Sequence, residues 1–192
     1  METRTILFIG KPGCGKGDQT KLLSEKTGWK ILSSGDNFRS ISSENTPIGR
    51  RVKEVNDAGL LQPSWLAEYL FIKYLSPLPE NESVIFDGFG RKAREAEFVI
   101  ESLAWINRPL SVIHLDVSDE EIIKRVALRK EIEGRADDKV VEERLKEYYE
   151  YTEPALKKFR DEAHVIEING EQAREKIAED VQKALNLPST GS

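Results

Sequence analysis

The sequence predicts an α/β fold: a five-stranded parallel sheet flanked by helices on both faces. Along its 192 residues, short apolar runs alternate with longer charged stretches in which apolar residues recur at helical spacing. This alternation is typical of βαβ units, in which a helix separates each pair of parallel strands. No stretch rich in glycine, proline or serine divides the chain, so we expect a single domain over residues 1–192.

Five apolar runs have the length of buried strands. The first, Thr5–Ile9, ends at a glycine, and the others are WKIL, SVIFD, LSVIHLDV and HVIEI, at residues 29–32, 83–87, 110–117 and 164–168. The stretch KGDQTKLLSEKTG predicts a helix that Gly28 closes. The longest polar helical stretch runs from about Asp138 to Arg160, and Pro154 is expected to kink or break it.

Composition limits the classes of protein that the chain can represent. Hydrophobic residues make up 39% and charged residues 33%, a balance typical of a soluble globular domain. A net charge of −5 argues against a nucleic-acid or membrane surface. The single cysteine, Cys14, excludes an internal disulfide and a multi-cysteine zinc site. The apolar run near the N-terminus is too short for a signal peptide and no segment is long enough to span a bilayer, so we expect a cytoplasmic, monomeric enzyme.

The stretch FIGKPGCGKGDQT, residues 8–20, follows the first predicted strand and opens the first predicted helix. Gly10 to Lys16 fit the phosphate-loop pattern G-x-x-x-x-G-K, in which backbone N–H groups and the positive end of a helix dipole hold an anion. Lys16 is then expected to reach the outer phosphates. In the general pattern a serine or threonine follows and holds Mg²⁺, but here Gly17 takes that place and Asp18 comes next. Either the loop is not a nucleotide site, or the magnesium chemistry lies elsewhere.

Four further stretches, taken with the loop, carry a resemblance to a known family. They are LSSGDNFR (32–39), NDAGLLQP (56–63), VIFDGFGR (84–91) and RADD…RLKEYYEYTEP (135–154), and ING follows at 168–170. In this order they resemble the nucleoside monophosphate kinases, and among these most closely the adenylate kinases.

This resemblance implies the P-loop nucleotide kinase fold, with an acceptor-binding helical segment at about 33–62 and a short lid at about 125–138. It implies the reversible reaction ATP + AMP = 2 ADP, with Mg²⁺ bound to ATP. In this family the loop ends Gly-Lys-Gly-Thr, so Gly17 is normal there. The lid is short because only KEIEG separates Arg129 from Arg135.

On the acceptor side, the resemblance implies that arginines hold the monophosphate. Arg39 and Arg91 match positions that bind the acceptor phosphate, and Arg135 and Arg144 would close over the transferring group. The planar guanidinium suits this chemistry because it binds two phosphate oxygens at once and stabilises charge on the moving group. The remaining acceptor-binding positions that the resemblance implies are Ser34, Leu60, Leu61, Gln62, Gly88, Phe89, Gly90 and Glu95.

On the donor side, Arg125 and Arg129 lie four residues apart on a predicted helix, and therefore on one face. The resemblance implies that Arg125 stacks on the donor base and that Arg129 binds the donor phosphates. The expected catalytic residues are Lys16, Arg91, Arg125, Arg129, Arg135 and Arg144. The expected ATP-binding residues are Gly13, Cys14, Gly15, Lys16, Gly17, Asp18, Arg125, Arg129 and Gln172.

The resemblance also implies that phosphates, and waters oriented by acidic residues, hold the magnesium ion without a direct protein ligand. Asp87 is the best match for such an acidic residue, because it ends the strand SVIFD and α/β sites lie at the carboxyl edge of the sheet. Asp36 is the second candidate. A capping or turn role is the alternative for both aspartates.

Four residues depart from the adenylate kinase pattern. Asp18 replaces a threonine and either contacts hydrated Mg²⁺ or points outward. Gly90 replaces a proline and is expected to loosen the turn before Arg91, and Gln62 replaces a valine that lines the acceptor base. Glu95 replaces a base-reading glutamine and either reads the base or points to solvent. A carboxylate only accepts hydrogen bonds, so it suits guanine better than adenine.

AMP is nevertheless the leading acceptor, because the rest of the acceptor pattern resembles that of adenylate kinases. A UMP/CMP kinase or another nucleoside monophosphate kinase is the nearest alternative. A nucleotide-binding regulator or assembly ATPase without transfer activity is the alternative from a different class.

Overall fold

A parallel sheet forms the centre of the molecule, in which the computed structural model describes residues 3–133 and 140–188. Its strands are β1 (Thr5–Gly10), β2 (Lys30–Ser33), β3 (Val84–Asp87), β4 (Leu110–Asp116) and β5 (His164–Asn169). They lie in the order β2–β3–β1–β4–β5, and every neighbouring pair is parallel. The predicted five-stranded parallel sheet is confirmed.

Nine α-helices connect and flank these strands in the described part of the chain. They are α1 (Lys16–Thr27), α2 (Ser34–Ser42), α3 (Pro47–Asp57), α4 (Ser64–Leu75), α5 (Ala93–Trp105), α6 (Asp119–Glu133), α7 (Val141–Glu147), α8 (Glu153–Glu162) and α9 (Arg174–Ala184).

Local sequence signals set several of the helix ends. Gly28 ends α1 in the left-handed conformation, as predicted. The side chain of Ser33 accepts a hydrogen bond from the N–H of Asp36 at the start of α2. Thr46 does the same for the N–H of Gly49 at the start of α3. These caps fix where the chain turns at the acceptor-binding segment.

The predicted long helix from Asp138 to Arg160 is interrupted, and its first residue lies outside the described residues. Helix α7 gives way to a π-helical segment at Tyr148–Thr152, and α8 begins at Glu153 with Pro154 in its first turn. Proline has no N–H with which to continue the preceding turn. The helix is therefore interrupted next to Pro154, as the sequence predicts.

Helices cover both faces of the sheet because alternate side chains of a strand point to opposite sides. Leu7 and Ile9 of β1 pack in one apolar cluster with residues of α4, α5 and α8. Ile6 and Phe8 pack in a second cluster with residues of α1, α6 and α9. The predicted two-sided covering of the sheet is confirmed. Among the described residues, no helix is both long and apolar enough to cross a membrane.

The register of the strands brings the predicted site residues to one edge. Asp87 at the end of β3 lies opposite Ser33 of β2 on one side and Phe8 of β1 on the other. Gly10, which ends β1, lies opposite Leu115 of β4. The loops that follow β1, β2 and β3 therefore leave the sheet side by side.

Candidate active site

The phosphate loop connects β1 to α1 at this edge. Gly13 has φ +80°, and a Cβ there would lie 2.7 Å from Val126 Cγ2 of α6, so the loop requires glycine at this position. Lys16 folds back over the loop and donates hydrogen bonds to the carbonyl oxygens of Gly10 and Lys11, at 2.8 and 2.9 Å. Its ammonium group therefore lies against the turn that is predicted to hold the donor phosphates.

The residues that follow Gly15, which precedes α1 at φ +97°, lie in the first turn of that helix. Asp18 is exposed, and its contact with hydrated Mg²⁺ stays a prediction. A Cβ at Gly17 would meet no heavy atom within 4 Å, so space alone does not require glycine there. Cys14, in contrast, is buried in the loop, with its sulfur atom 3.4 Å from Lys16 Nζ.

Of the two aspartates predicted to orient the magnesium waters, Asp87 has a shifted pKa. Burial raises the pKa of the Asp87 carboxyl group, the charges of Lys16 and Arg91 act to lower it, and the charge of Asp36 adds to the rise. Asp36 itself is exposed and forms an ion pair with Arg39 at 2.5 Å. Within the described ranges, no group of three or more histidine, cysteine, aspartate or glutamate side chains could hold a metal ion.

A cavity of about 260 Å³ opens between the acceptor-binding segment and the turn after β3. It is lined by most of the predicted acceptor-binding residues: Ser34, Arg39, Leu60, Leu61, Gln62, Gly88, Arg91, Glu95 and Arg144. Phe38, Asn56 and Ala67 also line it and were not predicted. Arginines for a phosphate group and apolar and amide surfaces for a base thus share one cavity.

Two residues of the predicted acceptor set lie away from this cavity. Phe89 is only 1% exposed and packs edge-on against Phe71 and Phe86 in the core. Gly90 has φ +66°, and a Cβ there would lie 2.6 Å from Phe159 Cζ. A residue with a Cβ would therefore clash at this turn, and the expectation that Gly90 loosens it stays a prediction.

Glu95 is a buried part of the cavity wall, with 5% of its surface exposed. The Ser64 hydroxyl donates to Glu95 Oε1 and the N–H of Arg91 donates to Oε2, each at 3.0 Å. Burial raises the pKa of the Glu95 carboxyl group, while these two bonds and the charges of Lys92 and Arg91 act to lower it. The alternative that Glu95 points to solvent is wrong.

Two side chains of the cavity make contacts that the sequence analysis missed. The amide nitrogen of Gln62 donates to Asn56 Oδ1 at 2.9 Å and to a backbone carbonyl of α3 at 3.0 Å, so the protein itself holds this amide. Glu147 accepts the N–H of Leu61 at 2.7 Å and lines the cavity. Glu147 lies three residues after Arg144 on α7, and this spacing on one helix face is the signal that could have found it.

Arg125 and Gln172, the donor-side residues whose side chains the structure describes, do not line the cavity. Arg125 donates to a glutamate one turn earlier on α6, at 2.7 Å. The amide of Gln172 donates to an aspartate of α9 at 2.9 Å. The side chain of Arg129 and the whole of Arg135 lie outside the described residues, so the predicted lid at 125–138 is described only to the end of α6.

Comparison with known proteins identifies the family. A model of the adenylate kinase family matches residues 8–164. The adenylate kinase of Maricaulis maris is 36% identical over 183 residues, which cover 94% of this chain and 97% of that protein. The adenylate kinase of Thermus thermophilus is 34% identical over 187 residues, covering 96% and 98%. That of Mycolicibacterium smegmatis is 36% identical over 168 residues, covering 86% and 91%. The chain therefore belongs to the adenylate kinase family of phosphotransferases, as its sequence motifs predict.

Proposed function

We propose that the chain catalyses reversible transfer of the terminal phosphoryl group from ATP to AMP, forming two molecules of ADP. The observation that carries this proposal is that a phosphate loop and an arginine-lined cavity share one edge of the sheet. Phe8 of β1 pairs with Asp87 of β3, so the loop after β1 and the turn that leads to Arg91 lie side by side. Donor and acceptor phosphates bound there would face each other.

In this proposal the protein catalyses transfer by positioning the two substrates and by stabilising the charge on the transferring group. An oxygen of the AMP phosphate attacks the terminal phosphorus of ATP, and the bond from that phosphorus to the departing ADP breaks. Lys16 exchanges its bonds to two loop carbonyl oxygens for bonds to the outer phosphates of ATP. Arg39 and Arg91 bind the acceptor phosphate, and Arg144 stabilises the charge that develops on the moving group. Arg125 and Arg129 keep the donor-side roles that the family motifs imply, and Arg135 closes over the transferring group with Arg144.

Mg²⁺ fits this site when it enters bound to ATP. When bound, it neutralises charge on the donor phosphates. Asp87 and Asp36 would orient its waters, because the Asp87 carboxyl group lies close enough to Lys16 of the loop and to Asp36 to interact with their charges.

Each substrate is bound by its own mobile segment of a single domain. The segment 33–62, which contains α2 and α3, binds AMP, and the lid at 125–138 covers ATP, because water must be kept from the transferring group. The bond between Glu147 and the N–H of Leu61 joins the helix after the lid to the acceptor segment, so the movements of the two segments would be coupled. We further propose a cytoplasmic monomer without a nucleic-acid or membrane partner, in line with the net charge of −5.

The test is a Lys16→Ala variant compared with Lys21→Ala, which changes an exposed lysine of the same helix. We expect Lys16→Ala to lower kcat about 100-fold or more, because it removes the positive group at the outer phosphates. ADP formed from ATP and AMP is measured by chromatography, and circular dichroism checks the fold. A folded Lys16→Ala variant with near-normal turnover would contradict the assignment of the loop. A wild-type protein that transfers nothing to AMP would contradict the function.

A further inference from the structure

A second lysine of the phosphate loop joins three segments of the protein. Lys11 Nζ forms an ion pair with Asp119 Oδ1 at 2.5 Å, and the Tyr149 hydroxyl donates to the same oxygen at 2.7 Å. The Lys11 ammonium also lies 5.2 Å from the centre of the Tyr149 ring, within the range of a cation–π contact. These three residues are called the loop tether below.

The loop tether is better shielded than an ordinary surface ion pair. The Lys11 and Asp119 side chains are 13% and 41% exposed, whereas those of Lys157 and Asp161, which pair on α8, are 75% and 55% exposed. Burial acts to lower the pKa of Lys11, but its bonds to Asp119 and Tyr149 outweigh this and the pKa is raised. The same contacts outweigh burial at Asp119 and lower its pKa. A shielded, multiply bonded pair restrains its side chains more than an exposed one does.

The tether meets the loop at the residue that also holds Lys16. The backbone carbonyl of Lys11 accepts hydrogen bonds from Lys16 Nζ at 2.9 Å and from the N–H of Cys14 at 3.2 Å. The side chain of Lys11 therefore anchors the same residue whose carbonyl shapes the turn. Loss of the anchor would let that carbonyl, and Lys16 with it, move.

The other two tether residues lie on the elements that flank the predicted lid. Asp119 is the first residue of α6, which carries Arg125 and leads toward the lid. Tyr149 lies in the π-helical segment directly after α7, which carries Arg144. The tether thus connects the loop to the helices on both sides of the lid.

We propose that Lys11 is a positioning residue for phosphoryl transfer, which together with Asp119 and Tyr149 fixes the phosphate loop relative to the two helices that flank the lid. The inference rests on the proposed function, because it takes the loop as the site of the donor phosphates. None of the three tether residues lines the acceptor cavity. The tether holds the loop directly and reaches the cavity only through α7, so breaking it should affect ATP more than AMP.

A Lys11→Met variant tests this proposal by removing the charge while keeping a long side chain. We expect kcat/KM for ATP to fall about tenfold, while KM for AMP changes less than about twofold. Lys11→Arg keeps both the charge and the contact with the ring, and should restore most of the activity. Lys157→Met, which breaks an exposed pair elsewhere, should change neither quantity.

A double-mutant cycle separates the tether from general damage to the fold. Asp119→Asn should cause a similar loss, and adding it to Lys11→Met should cost little more, because one contact is already broken. Additive losses, equal losses for ATP and AMP, or a Lys11→Arg variant as poor as Lys11→Met would each overturn the proposal. Tyr149→Phe provides a milder variant if Lys11→Met unfolds early in a thermal melt.

Calorimetry with a non-hydrolysable ATP analogue distinguishes a failure of the tether inference from a failure of the proposed function. If wild-type protein binds the analogue and Lys11→Met binds it about tenfold more weakly, the tether acts on the donor site even if AMP is not the acceptor. Unchanged affinity for the analogue would overturn the inference while leaving the proposed reaction intact.

Discussion

Replacement of Glu95 by glutamine tests how the cavity reads the base of AMP. The edge of adenine presents an amine donor beside a ring-nitrogen acceptor, and an ionised carboxylate can match only the donor. Because Glu95 is 5% exposed, little water is present to pair with the group left unmatched. Such a mismatch costs about 1–3 kcal/mol, which corresponds to a loss of roughly 5- to 150-fold.

Glutamine removes this mismatch and can keep the contacts that hold the side chain. Its carbonyl oxygen can accept the N–H of Arg91, and the Ser64 hydroxyl, now a donor to Glu95, can accept from the amide. We expect Glu95→Gln to raise kcat/KM for AMP about tenfold near pH 8. Glu97→Gln is the matched control, since Glu97 lies on the same helix but is exposed and paired with Lys158.

The dependence of this effect on pH follows from the burial of Glu95. A protonated carboxyl group has one O–H donor and one carbonyl acceptor, the same pattern as an amide. Burial raises the pKa of Glu95, against the charges of Arg91 and Lys92, while Arg144 and Glu147 face the cavity from α7. The protonated fraction therefore grows as the pH falls toward the raised pKa. The advantage of glutamine over the wild type should shrink at the same time.

The assay measures initial rates of ADP formation at saturating ATP over a series of AMP concentrations, from the ordinary pKa of glutamate, 4.5, to about pH 8.5. The ratio of variant to wild type cancels the titration of the AMP phosphate, which is common to both. GMP, with two adjacent N–H donors on its base, should lose efficiency in the variant, and CMP and UMP complete the series. A ratio that does not change with pH, or a variant no better on AMP near pH 8, would refute this account of base reading.

Two further substitutions test the loop and the turn. Gly90→Ala should lower the free energy of unfolding by about 2–4 kcal/mol, from positive φ and a clash with Phe159. Gly28→Ala, also at positive φ but with no atom within 4 Å, should lower it by only about 1 kcal/mol in urea denaturation, and equal losses would exclude the clash. Asp18→Thr should lower KM for ATP about two- to fivefold at every magnesium concentration, because it removes a like charge near the phosphates. A shifted magnesium optimum would instead indicate contact with the hydrated ion.

The sequence predicts the sheet and the position of the site because both depend on local patterns. Apolar runs of strand length identify all five strands, and parallel strands bring their carboxyl ends to one edge. Lys16 follows the glycines of the loop after β1, Ser34 follows β2, and Arg91 lies shortly after β3. The sequence therefore predicts that these three residues lie at the same edge. The capping role of Gly28 is equally local.

The contacts within the site could not be predicted because their partners are distant in sequence. Lys11 and Asp119 are 108 residues apart, and Leu61 and Glu147 are 86 apart. Phe89 lies within a predicted site motif but packs in the core, since Phe71 provides an aromatic partner that no local pattern places beside it. Tertiary packing decides which member of a motif faces the cavity.

Two of the departures from the family pattern, Gly90 and Glu95, are joined through one hydrogen bond. A proline at position 90 would have φ of about −65°, whereas Gly90 has φ +66°. The backbone therefore approaches Arg91 in a direction that proline does not allow. In that direction the N–H of Arg91 donates to Glu95 Oε2. Because this bond uses the backbone of Arg91, it holds the turn from which Arg91 and Glu95 both line the cavity. Glutamine can keep the bond, but a residue without an acceptor at position 95 would leave that N–H without this partner.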